Sequence, residues 1–176
     1  SRDIWFVVAL PVFLDEMLGW SFTATGAFLA AWVIGYGVVQ SVAPQVLRRR
    51  GEIDEIAAAR SWAFVLGVVS ALIALGVTID DLREAVVLGG LIVFGIVFAL
   101  NSSLHSYLIL AYAGDDGVSM DVGFYYSANA SGRLVGTLLS GLLYLVGGFE
   151  LAMWGAAAFA GITWLLTLRL PPLPTD

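Results

Sequence analysis

Residues 125–144 read YYSANASGRLVGTLLSGLLY. A membrane-spanning helix needs about 20 mostly apolar residues. This stretch has that length and character, with Arg133 near its middle. An arginine at the centre of a bilayer costs about 3 kcal/mol even on lenient scales. Such a residue faces the interior of a helix bundle or a water-filled cavity, so it points to a membrane fold and to a site at once.

The rest of the chain agrees with a membrane protein. Of its 176 residues, 60% are hydrophobic and 12% charged, against about 25% charged in ordinary soluble domains. Cysteine is absent, which excludes a disulfide framework, thiolate catalysis and a cysteine metal site. All eight basic residues are arginine, and the net charge of −6 argues against a nucleic-acid partner. The opening SRDIWFVVALPVFL has no small-residue cleavage site and does not read as a secretory signal. Lacking a leading Met, it reads as a point inside a longer protein. The sequence holds no phosphate-binding glycine loop, metal-spaced His/Glu cluster or nucleophile with a base. The reading is therefore of a non-enzyme with no cofactor and no metal.

Six segments approach spanning length: A at 3–19, B at 22–47, C at 61–79, D at 85–110, E at 122–146 and F at 149–170. They are read as a single bundle over 1–176. RRRGEIDEIAAAR, DDLRE, AGDDGVSMD and the pair Gly147-Gly148 separate the later ones. PPLPTD ends F, because proline cannot continue a helix. Six crossings put Arg2, Arg48, Arg49, Arg50, Arg60 and Arg169 on one side and leave Arg83 on the other. The positive-inside rule makes the arginine-rich side cytoplasmic, together with both chain ends.

The polar residues are sorted by segment. C and F are nearly featureless and are expected to face lipid. B carries Tyr36, Gln40 and Ser41, D carries Asn101, Ser102, His105 and Ser106, and E carries Tyr125, Tyr126, Asn129 and Arg133. This predicts an all-α integral membrane fold of two inverted three-helix repeats, A–C and D–F, around a polar interior. Gly132, Gly136 and Ser140 recur every four residues on E, a face that lets another helix approach closely.

Residues three or four apart share a helix face, so Tyr126, Asn129 and Arg133 form one stripe on E, and Asn101 and His105 another on D. At helical rise, Arg133 and Asn101 lie about 15 Å from the cytoplasmic ends of their segments, and Asn129 and His105 about 10 Å. The matching depths make Arg133, Asn129, Asn101, His105 and Tyr126 the candidate set for an anionic substrate. The guanidinium fork suits phosphate or carboxylate oxygens, and no acid in B–F lies near its depth. A purely structural Arg133, bonded to neighbouring carbonyls, is the other reading. His105 is likewise a structural group or a proton carrier. Asp15 and Glu16 are interfacial carboxylates or proton-coupling acids, and Pro11 is expected to kink A.

RDIWFVVALPVFL, GAFLAAWVIGYGVVQSVAP and NSSLHSYLILAYAGDDGVSMDVGFYYSANASGRLVGTLLSGLLY together resemble the C-terminal six-helix half of a major facilitator superfamily transporter. Within it they look most like the bacterial organoarsenical efflux permeases. The resemblance implies a twelve-helix fold in a bacterial inner membrane, with A–F as its second half, A and D lining the cavity, and C and F facing lipid. It implies export of a small organic anion similar to 1-arseno-3-phosphoglycerate, an ester made by a partner glyceraldehyde-3-phosphate dehydrogenase. An N-terminal six-helix half, or a second membrane chain, is then needed to complete the cavity. Asp15 and Glu16 are not part of the resembling pattern. The competing reading is a non-transporting membrane subunit that uses the half-fold to pack within a larger complex.

Overall fold

A computed structural model describes residues 1–48, 54–113 and 118–172, without the side chains of 46–48 and 118. Arg49, Arg50, Asp115, Asp116 and the tail 173–176 lie outside the described residues. The described chain is helical, in the order α1 (Asp3–Phe6), α2 (Ala9–Glu16), α3 (Phe22–Arg48), α4 (Glu55–Val77), a short 3-10 turn (Asp80–Leu82), α5 (Arg83–Tyr112) and α6 (Val118–Thr167). Four of these, α3 to α6, are long and apolar enough to cross a membrane.

Local chemistry explains the boundaries. Segment A is broken: Val8 leaves helical geometry (φ −121°, ψ −54°) between α1 and α2. Pro11 has no N–H to offer the Val7 carbonyl, and its ring crowds that carbonyl. The amide of Ala9 then donates to Ser140 Oγ at 3.0 Å, inside the protein. At the end of α2, Trp20 N–H bonds the Leu14 carbonyl (3.0 Å) and Gly19 takes φ +67°, the arrangement that closes helices on a glycine. Ser21 Oγ accepts from Ala24 N–H (3.2 Å) to open α3. Asp54 does the same for α4 through Ala57 N–H (2.9 Å), so this helix starts six residues before the expected 61. The charged EIAAAR run is helix, because a capped helix extends past the part that is apolar. Arg83 donates to the Val77 carbonyl (3.0 Å) and pairs with Asp80, closing the turn between α4 and α5.

Helix α6 is two arms. Gly147 (φ −151°, ψ 24°) and Gly148 (φ 66°, ψ −162°) are non-helical, and the second conformation is open to glycine alone. The chain reverses there, so the second arm runs back along α4. Arg60 Nη2 reaches the Thr167 carbonyl (3.4 Å), and a Cβ on Gly67 would sit 3.6 Å from that of Ala160.

The core is built around α5, the most buried of the long helices. Trp5 stands edge-on to Trp32 (5.6 Å) and Phe94 (5.0 Å), and Trp32 Nε1 donates to the Leu91 carbonyl (2.8 Å). Leu66, Ile73, Ala74, Met153, Ala156 and Ala160 belong to the same cluster. This corrects one expectation. Segments C and F do not merely face lipid, since α4 and the second arm of α6 supply core on their inner faces. Their alanines and Gly67 allow close approach, and apolar faces gain most from burial. The polar helices α3 and the first arm of α6 are instead the exposed ones.

Candidate functional site

A cavity of about 500 Å³ lies between α1, α3, α5 and the first arm of α6. The expected stripe on α6 lines it: Tyr126, Asn129 and Arg133 all face this space. Opposite stand Tyr36 and Gln40 of α3, and Phe98, Ser102 and Ser106 of α5.

Arg133 has a partner that depth reasoning did not find. Its Nε is 3.4 Å from Asp3 Oδ2, long for a charge-assisted bond, which typically measures about 2.7–2.9 Å. Asp3 is held much more firmly by Arg2, whose Nε and Nη2 donate to Oδ1 at 3.0 and 2.7 Å. The Arg2 guanidinium also lies over the rings of Phe6 and Phe98, 5.9 and 5.7 Å from their centroids. Asp3 is 11% exposed and Arg133 65%. The pair is therefore lopsided: a buried carboxylate served by one guanidinium, with the second touching it from the cavity. Gly136 makes the approach possible, because a Cβ there would stand 3.2 Å from Asp3 Cβ.

Two guanidiniums face one carboxylate, and Asp3 is the only acid among the described residues lining the cavity. The net charge of the lining side chains is thus positive in a wall of serines, amides and phenols. Arg2 also moves from its expected place. It sits beside Phe98, half-way along α5, rather than at the end of the bundle with Arg60.

Asn101 and His105 are not brought to Arg133. Asn101 is buried, and its side-chain Oδ1 has no hydrogen-bond partner. Its backbone carbonyl meets His105 Nδ1 at 2.9 Å; a carbonyl only accepts, so Nδ1 carries the proton. His105 borders a second cavity of about 430 Å³, with Tyr112 and Asp121. The reason is rotation. α5 packs mainly on α3 and α4, and this turns Phe98, Ser102 and Ser106 towards Arg133, about 100° away from the Asn101–His105 face. Tyr125 borders both cavities. Glu16 is far from either; its Oε2 accepts from Tyr144 O–H at 3.0 Å. Among the described residues no group of three metal-ligating side chains converges.

Sequence reasoning passed over Arg2, Asp3 and the Ser102/Ser106 pair as site residues. The serines had a signal, since they share the spacing of one helix face with Phe98. Asp3 had none, because helix A was taken to run the full depth of the membrane.

No family model, no curated protein and no solved structure matches this chain.

Proposed function

We propose that this chain is the second half of a secondary transporter exporting a small organic anion, with Arg133 as the ligand for its charged head. In this reading α3, α4, α5 and the two arms of α6 are crossings of a bacterial inner membrane, and the α1–α2 pair, which starts beside the middle of the first arm of α6, belongs to a sixth. They form two inverted three-helix repeats with the C-terminal end cytoplasmic, and a partner half closes the open side of the cavity. Arg60 and Arg169 near one end of the bundle and Arg83 at the other support that orientation. The observation that carries the proposal is the lopsided Arg2–Asp3–Arg133 group: a guanidinium 65% exposed in a polar cavity, touching its acid only at 3.4 Å. Transport sites near the bilayer centre use this kind of fixed positive charge for anions.

The contact to Asp3 also supports the other reading, in which Arg133 ties α6 to α1 in a packing subunit without transport. Arg133→Lys and Arg133→Gln separate the two. Both are made in the full protein containing this chain, and folded yield and the binding of benzoate and 3-phosphoglycerate are measured on the same samples. A ligand role predicts normal yield with weakened binding, more severe for Gln than for Lys, which keeps the charge but loses the fork. Normal binding by well-folded Arg133→Gln would end the proposal.

A further inference from the structure

We infer that the Arg133 cavity selects anions carrying a single charged head and an aromatic ring; the inference rests on the anion-transport reading above and narrows its substrate class. Charge gives the first half of the argument. Asp3 satisfies Arg2 through two hydrogen bonds of 2.7 and 3.0 Å, and Arg2 is covered further by the rings of Phe6 and Phe98. Arg133 is left, among the described lining residues, as the guanidinium with most of its fork open to the cavity. The site therefore offers one head-group position. A ligand bearing several charges would leave the others unpaired, which becomes unfavourable once a partner half covers the open side of the cavity.

The rings give the second half. Tyr36, Phe98, Tyr125, Tyr126 and Phe159 all line the cavity. Tyr36 and Phe98 pack against each other at 5.5 Å, as do Tyr125 and Tyr126. Tyr126 lies about 10 Å along α6 from Arg133 at helical rise, with Asn129 between them on the same face. A head group on Arg133 thus projects its body past the Asn129 amide and among aromatic faces. The rings thus give an otherwise polar wall the apolar faces that a small-molecule site uses to hold the body of its ligand.

The full protein in lipid nanodiscs tests this with radiolabelled benzoate as probe and unlabelled hexanoate and 3-phosphoglycerate as competitors. Benzoate is expected to bind, with hexanoate competing about fivefold less well, as the loss of one aromatic contact would give. Tyr126 is 65% exposed, so Tyr126→Leu leaves packing intact; it should weaken benzoate about fivefold and leave hexanoate unchanged. Arg133→Gln should abolish both. Equal affinity for benzoate and hexanoate, or benzoate binding indifferent to Tyr126→Leu, would overturn the inference. Tighter binding of 3-phosphoglycerate, lost in Arg133→Gln, would overturn it while leaving the anion reading standing. If none of the three binds, or Arg133→Gln changes none of them, the anion reading falls and takes this inference with it.

Discussion

Gly132 and Gly136 lie one turn apart on α6, and the structure gives them opposite surroundings. A Cβ built on Gly136 would stand 3.2 Å from Asp3 Cβ, 3.5 Å from Asp3 C and 3.6 Å from Ile4 N. A Cβ on Gly132 would meet nothing within 4 Å. Both are interior helical positions, so Gly→Ala adds the same intrinsic helix stability at each, about 1 kcal/mol. That contribution cancels in the difference between the two variants. What remains is the crowding at 136, where the neighbour is the body of α1 rather than the tip of a flexible side chain, and overpacking of this kind costs about 1–3 kcal/mol. Gly132→Ala should therefore be neutral or stabilising, and Gly136→Ala should be about 1–3 kcal/mol less stable than Gly132→Ala. Gly136→Leu should lose folded protein outright. Unfolding by dodecyl sulfate in mixed micelles, followed by the fluorescence of the buried Trp5 and Trp32, measures the difference. Gly136→Ala and Gly132→Ala unfolding within about 0.3 kcal/mol of each other, the usual error of additivity, would refute the placement of α1 against α6.

The remaining predictions use the same titration or a labelling assay. Ser140→Ala removes the acceptor for Ala9 N–H in a site from which water is excluded and should cost about 1–2 kcal/mol; an unchanged midpoint would mean that another acceptor serves the break. Gly148→Ala puts a Cβ on a backbone at φ 66°, ψ −162° and should cost about 1–3 kcal/mol, whereas Gly161→Ala, in open helix, should cost nothing. In this cysteine-free chain, Asp81→Cys should react with an impermeant maleimide in intact cells and Ala57→Cys should not, since α4 carries them to opposite ends. The reverse pattern would invert the proposed orientation.

Much of the helix order was legible, because helix ends are written locally. Segment B at 22–47 became Phe22–Arg48, D at 85–110 became Arg83–Tyr112, and the E–F break fell at Gly147-Gly148. The start of α4 was not legible from apolarity, which measures compatibility with lipid and not helix; Asp54 was the better signal. In the site, the stripe from Tyr126 to Arg133 came correctly from helical period. Pairing it with Asn101 and His105 failed because depth along an axis says nothing about rotation around it. The rotation of α5 is set by Trp32 docking on the Leu91 carbonyl and against Gly95, a contact between residues far apart in sequence. The place of Arg2 and Asp3 failed for a related reason. Segment A at 3–19 reads as a full crossing with Arg2 at its cytoplasmic end, while α1 in fact begins beside the middle of the first arm of α6.

The partners of Asp3 bear directly on what Arg133 is for. Asp3 is the buried member of the trio, and a buried carboxylate must keep a compensating charge. Arg2 supplies it from the adjacent residue, through two bonds to Oδ1. Removing Arg133 leaves that compensation in place. Removing Arg2 leaves Asp3 with one long contact from a mostly exposed side chain, and exposed ion pairs contribute little. The fold therefore depends on Arg2 far more than on Arg133. Arg2→Gln should lower folded yield where Arg133→Gln does not, and that order is the reverse of what a structural tie at Arg133 requires. On the reading proposed above, the partner of Arg133 is an anion in the adjoining cavity, which its planar guanidinium fork fits.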